Sequence, residues 1–140
     1  MIEFGNINAG VQYIERVGAY AVIPDESGVF TLIRTPKGYF LPGGGLHAGE
    51  SPEEALRRET IEETGYDSVI LSPLGSATQF TRKYRKIGHF FSARLTARIA
   101  EPIETDHELI RLSAQEAIRQ MRHEYHAWAI REVLKKGSHT

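Results

Sequence analysis

The chain has 140 residues, 41% hydrophobic and 25% charged, with 17 Lys and Arg against 18 Asp and Glu for a formal net charge of −1. That length suits one domain over 1–140, with a core that needs no covalent or metal staple. The even charge balance argues against nucleic acid as a partner, and the absence of cysteine excludes disulfides, thiolate zinc sites and cysteine nucleophiles.

No basic and apolar leader opens the chain, and no run approaches ~18 apolar residues, so the expectation is a cytoplasmic protein without a membrane span. The first clear element is the apolar stretch 17–23, which closes on Pro24. The turn formers Pro24-Asp25-Glu26-Ser27-Gly28 and the run 29–33 follow, and the whole reads as two strands joined by a short turn. Tyr39-Phe40-Leu41 is a short strand entering the glycine loop Pro42-Gly43-Gly44-Gly45.

Ser51 is a natural N-cap, Pro52 suits the first helical position, and Glu54 completes a capping box. The helix should run to Thr64, with Gly65 as its left-handed cap. Beyond it, 68–80 and 86–100 read as strands joined by 81–85, with Phe90-Phe91 in the core. An acidic loop at 101–107 leads to a short strand near 109–112. Ser113 and Glu116 stand in capping-box positions for a helix ending near Met121, and 125–136 is the last helix. The order argues an α+β fold: a mixed sheet with helices on both faces.

The chemistry gathers at 44–66, which reads GGLHAGESPEEALRRETIEETGY. On a helix Glu59, Glu62 and Glu63 fall at i, i+3 and i+4, within an arc of roughly 100°. On an open surface such a cluster is a tolerable solvated face. In a shielded cleft, two charges ~5 Å apart repel by about 3 kcal/mol at an effective dielectric of 20, and a cation is required. Oxygen ligands without Cys or His suit Mg²⁺, with Mn²⁺ as a substitute. The glycines let backbone approach a ligand closely, and Mg²⁺ bound through a few carboxylates plus substrate phosphates can activate water for attack on phosphorus.

Gly44, Glu50, Arg58, Glu59, Glu62, Glu63, Gly65 and Tyr66 stand at the spacing of the Nudix box, and the segment resembles that of MutT-like Nudix hydrolases. Thr60, where the box has an apolar residue, is the one soft departure. The resemblance implies a Nudix-type α/β/α sandwich and a Mg²⁺-dependent pyrophosphohydrolase cleaving a nucleoside-diphosphate derivative, a (d)NTP or dinucleoside polyphosphate first among them. It implies metal ligation by Glu59, Glu62, Glu63 and the Gly43 carbonyl, with Glu50 and Arg58 orienting those carboxylates. The base is left open between Glu59, Glu62 and an acid of the loop, where Glu104 and Glu108 are favoured over Glu101 and Asp106. The loop also reads as solvated acidic surface.

Substrate contacts are sought in two further places. Arg82 and Lys86 can grip phosphates and Tyr84 can stack on a base, or the segment is only a charged hairpin tip. Tyr84 also stands where dinucleoside-polyphosphate hydrolases of that family often carry a tyrosine. His123 and His126 can read the nucleoside, or they are the wet edge of a helix anchored by Trp128. Two rivals compete with the enzyme: a catalytically silent nucleotide-sensing module and a Ca²⁺-stabilised interaction domain. The sequence leaves the oligomeric state open, a homodimer included.

Overall fold

The structure is a computed structural model and describes residues 1–137. Strands β1 (Ile2–Phe4), β2 (Ile14–Val22), β3 (Val29–Thr35), β4 (Gly38–Phe40) and β5 (Gly43–Gly45) precede helix α1 (Pro52–Thr64). The long strands β6 (Tyr66–Phe80) and β7 (Tyr84–Arg98), then β8 (Glu108–Ser113), α2 (Ala114–Gln120) and α3 (Glu124–Gly137) complete the chain. A five-stranded mixed sheet runs β1-β6-β7-β2-β5, and a three-stranded antiparallel sheet runs β4-β3-β8.

Side-chain alternation sorts the core into two layers. From β2 and β7, Ala19, Ala21, Phe91 and Ala93 face α1 and meet its Ala55 and Leu56. Val22 and Phe90 face the opposite way, against the second sheet and the helices α2 and α3 with Phe30, Leu32, Tyr125 and Ile130. Phe90 and Phe91 are thus both core, on opposite faces. The expected α+β sandwich forms with helices on either side, and the smaller sheet shares one of the outer layers. Among the described residues no helix is long and apolar enough to cross a membrane.

Helix α1 begins and ends where its sequence says. Ser51 Oγ accepts from the Glu54 N–H, Glu54 Oε1 accepts from the Ser51 N–H, and Gly65 closes the helix at φ 80°. Thr60 is fully buried with its hydroxyl satisfied by the Arg57 carbonyl and Ser68 Oγ, which is how a hydroxyl occupies an apolar position. The cap of α2 forms on one side alone: Ser113 Oγ accepts from the Glu116 N–H at 3.3 Å, while the Glu116 carboxylate pairs with Arg119.

The glycine segment departs from expectation. Gly43–Gly45 is a strand, not a loop, paired antiparallel with β2. Glycine propensity is overridden because the segment lies flat between β2 and α1, where a Cβ on Gly43 would stand 2.1 Å from the Ala19 carbonyl oxygen. The loop between β6 and β7 is also shorter than read, since Tyr84 and Arg85 belong to β7.

Candidate active site

Two backbone hydrogen bonds bracket β5: Ala21 N–H to the Pro42 carbonyl at 2.8 Å and Leu46 N–H to the Val17 carbonyl at 3.0 Å. In an antiparallel pair every second residue turns its N–H and C=O away from the partner strand. For β5 these are Gly43 and Gly45, whose polar groups therefore face α1. The Gly43 N–H donates to Glu63 Oε1 at 2.8 Å, and the Gly45 carbonyl accepts from Arg58 Nη2 at 2.9 Å.

Arg58 is the hub. Its Nε and Nη2 donate to both oxygens of Glu50, at 2.7 and 2.9 Å, in a bidentate fork. Its Nη1 donates to Glu59 Oε1 at 3.0 Å and Glu62 Oε2 at 3.2 Å. One guanidinium thus fixes the glycine strand, the loop carrying Glu50 and two carboxylates of α1. The side chains of Glu63, Glu59 and Glu62 are 5%, 14% and 30% exposed, so the acidic face is shielded and not a solvated one.

The loop at 101–107 closes the site. Ile103 and Glu104 donate their N–H groups to the Glu62 carbonyl, and Ile99 and Ala100 donate to that of Gly65, so the C-terminal carbonyls of α1 hold the loop down. This brings Glu104 into the cluster: carboxylate oxygens of Glu59, Glu62 and Glu104 lie within 4.8 Å of one another. His107, which the motif did not point to, forms a second such group with Glu63 and Glu104. Its Nδ1 shares a hydrogen bond with Glu63 Oε2 at 3.1 Å. Reading the loop as solvated surface is therefore overturned for Glu104. Glu108 is a correction in the other direction, because it points from β8 to Arg34 at 2.5 Å, well outside the carboxylate group. Glu101 pairs with Arg98, and the Asp106 carboxylate stands 3.8 Å from His107 Nε2.

Burial first of all, opposed by the Gly43 N–H and reinforced by Glu59, Glu104 and Glu62, pushes the Glu63 carboxyl up to about 9. Burial likewise raises Glu59 against the pull of Arg58, whereas Arg58 holds Glu50 down to about 2. Oε2 of Glu104 is shielded from solvent and accepts no hydrogen bond from the described residues, although His107 Nδ1 lies 2.9 Å away. A buried carboxyl that resists ionisation beside an unsatisfied carboxylate oxygen is a donor set lacking its cation. Hard oxygens with one imidazole at the edge fit a divalent ion of the Mg²⁺ or Mn²⁺ kind.

A cleft of about 220 Å³ opens over this cluster, lined by Gly43, Gly44, Glu63, His107, Tyr20 and Lys37 among others. A neighbouring groove of about 560 Å³ is lined by Arg16, Gly18, Tyr20, Gly45, Tyr84 and Lys86. Tyr84 therefore faces a groove that adjoins the cleft, with Arg16 and Lys83 over its ring at 5.1 and 5.2 Å. Arg82 is exposed and lines a separate depression with Lys83 and Arg122.

The histidines of α3 are not a wet edge. His126 is 1% exposed and packs on Tyr20 and Tyr125, with ring centroids at 4.5 and 4.8 Å; its Nδ1 accepts the Leu41 N–H at 3.1 Å. It cannot read a nucleoside from there and serves the core instead. His123 is partly buried against Phe40, 5.7 Å between centroids, and burial with Lys86 and Arg122 nearby holds it down to about 4.

A family model described as the NUDIX domain matches residues 14–136. A putative 8-oxo-dGTP diphosphatase of Bacillus subtilis (strain 168) is 33% identical over 81 residues, 56% of this chain and 53% of that protein. A GDP-mannose pyrophosphatase of Yersinia enterocolitica is 35% identical over 68 residues, 47% of this chain and 36% of that protein. The chain thus spans about half or less of the length of these relatives. Among solved structures, a NUDIX hydrolase from Nitrosomonas europaea superposes with TM-score 0.78 at 21% identity, over 88% of this chain and 90% of that one. A MutT protein from Methanosarcina mazei Go1 gives 0.73 at 21% identity, over 94% and 100%.

Proposed function

The chain belongs to the NUDIX domain family, and on that footing we propose that it is a single-domain Mg²⁺-dependent hydrolase of a diphosphate linkage in a nucleoside-diphosphate derivative. The observation that carries the reading is the convergence of Glu59, Glu62, Glu63 and Glu104 beside a glycine strand, with Glu63 buried and Arg58 locking the set.

Glu59, Glu62, Glu63 and the Gly43 carbonyl, which faces α1 by its place in β5, hold the ion. When bound, the divalent cation neutralises the diphosphate and lowers the pKa of coordinated water. Glu50 is tied up by Arg58, so its part is to fix that guanidinium, which in turn holds Glu59 and Glu62 at fixed angles. Glu104 is the base: its unsatisfied Oε2 is free to accept a proton from attacking water. His107, hydrogen-bonded to Glu63, orients the loop that carries Glu104. Tyr84 stacks on the base in the adjoining groove, while Arg82 contributes charge at its far rim. Phosphoryl transfer asks a protein mainly for positioning and charge neutralisation, and these residues supply both.

A panel of nucleoside triphosphates, dinucleoside polyphosphates and nucleotide sugars, each with Mg²⁺ or Mn²⁺ and with EDTA, tests the reading. Metal-dependent release of a nucleoside monophosphate from at least one compound is the expected result. Full turnover after exhaustive chelation, or none on the whole panel, refutes it.

A further inference from the structure

Three cations converge beside the carboxylate cleft. Lys37, in the turn between β3 and β4, lines the cleft that holds Glu63 and His107. Lys86 is partly buried on β7, opposite Arg16 of β2, and lines the adjoining groove; the two cavities share Tyr20. Arg122, between α2 and α3, donates its N–H to the Tyr39 carbonyl at 2.9 Å and folds over Gly38, where an added Cβ would meet its Cβ at 3.3 Å.

None of the three has a carboxylate partner among the described residues. The acid that shares the groove, Glu15, is engaged by Arg85 at 3.1 Å. Burial first, then the charges of Lys37 and Arg122, weaken the hold of Lys86 on its proton. Unpaired like charges gathered around a half-buried ammonium are costly unless an anion joins them.

We propose that Lys37, Lys86 and Arg122 form an anion subsite for a third phosphate, so that the substrate class is a nucleotide with at least three linked phosphates. The inference rests on the hydrolase reading above and narrows it. A nucleotide sugar would set neutral hydroxyls against three unneutralised cations, whereas a third phosphate offers charge-assisted hydrogen bonds to each. A nucleic-acid backbone is a poorer occupant, since the patch sits at the rim of a cleft on a chain of net charge −1.

The test has a binding arm and a kinetic arm. Inorganic tripolyphosphate is titrated calorimetrically into metal-free protein in EDTA, using the full chain and its Glu63→Gln, Lys86→Met and Arg122→Gln variants. Loss of one charge-assisted contact is worth roughly tenfold in affinity. We expect that loss in Lys86→Met and in Arg122→Gln, which lie on separate elements, and none in Glu63→Gln. Equal affinity in all four proteins, or no binding by any, overturns the subsite. In the kinetic arm, the ratio of KM for deoxyguanosine triphosphate to KM for a nucleoside-diphosphate sugar should rise roughly tenfold in Lys86→Met, and an unchanged ratio also overturns it. If neither nucleotide is hydrolysed, the hydrolase reading fails while the binding arm still decides the subsite. Thermal melting of each variant separates a lost contact from a lost fold.

Discussion

A Cβ placed on Gly44 would lie 2.6 Å from the Glu59 carboxyl carbon and 2.8 Å from each of its oxygens. Gly44 has no positive φ, so it is glycine for space alone, and the space is taken by a proposed metal ligand. Gly44→Ala must therefore push Glu59 off its bond to Arg58. We expect at least a ~10-fold loss in kcat and in metal affinity with little change in Tm, since a misplacement of about 1 Å can cost ~100-fold in rate. Metal titration and turnover measured beside a melting curve would check it. Gly43→Ala is the contrast: at φ 140° and 2.1 Å from the Ala19 carbonyl oxygen it should damage the fold itself.

Glu63→Gln keeps the shape and the acceptor for the Gly43 N–H but removes the charge. Loss of one charged metal ligand removes several kcal/mol of transition-state stabilisation, and each 1.4 kcal/mol is about tenfold. We expect kcat to fall at least ~100-fold in a protein that melts like its parent in EDTA. Near-normal turnover of the metallated variant would show that Glu63 is not a ligand.

The raised Glu63 carboxyl also sets a pH dependence for the metal-free protein. Its folded pKa, about 9, lies above its ordinary value of 4.5, so the folded state binds the extra proton. The stability it contributes is complete below ~4.5 and is lost as pH rises toward ~9, by no more than about 1 kcal/mol per pH unit. Metal must displace that proton, so the rise in Tm on adding Mg²⁺ should be larger at pH 8.5 than at pH 6.5. Glu63→Gln should flatten the dependence in EDTA. A parent protein whose metal-free Tm is level across this range would contradict the burial argument.

How much of this was legible follows from where the signals lie. Helix α1 carried its own start, stop and acidic face in local residue types, and its capping box and Gly65 cap form as the sequence implies. Glu104 was reachable only as one of four acids in a loop, because its place depends on the carbonyls of α1 that hold the loop down. His107 gave no signal: a single histidine among acids has no period, and its partner Glu63 is 44 residues away. The β5 strand was hidden because three glycines read as a loop until β2 supplies a partner. His126 was read as wet because its neighbour His123 is polar and helix position alone does not say which face is covered. The burial of Tyr125, Ala127, Ala129 and Ile130 shows the apolar face of α3 to be broad enough to include it.

Tyr84→Ala tests the groove. Stacking of one base on an aromatic ring is worth about 1–3 kcal/mol, so kcat/KM should fall roughly 5- to 150-fold. The loss should appear mainly in KM, because base contacts are felt alike in the ground and transition states. An unchanged kcat/KM on every compound turned over would return Tyr84 to the role of a strand residue flanked by Arg16 and Lys83.

His126→Ala should act on stability and not on substrate choice. The ring is 1% exposed and stacks at 4.8 Å on Tyr125, and its Nδ1 takes the Leu41 N–H. Truncation leaves a cavity and a buried N–H without its acceptor. Cavity formation and an orphaned donor together cost about 2–4 kcal/mol. Leu41 leads through Pro42 to Gly43, whose N–H holds Glu63, so slack at Leu41 can also loosen the metal site. The same ring predicts an acid limit: burial, then the charges of His123 and Lys86, hold His126 well below its ordinary pKa of 6.5, so the folded state keeps it neutral. Its contribution is present above ~6.5 and is lost as pH falls below that value, where the unfolded chain binds the proton first. Urea denaturation of parent and variant at pH 7.5 and 5.5 measures both effects. The parent should lose stability between the two pH values more steeply than His126→Ala. A variant as stable as its parent at pH 7.5, or one that instead changes preference among nucleotides, would put His126 back in the pocket.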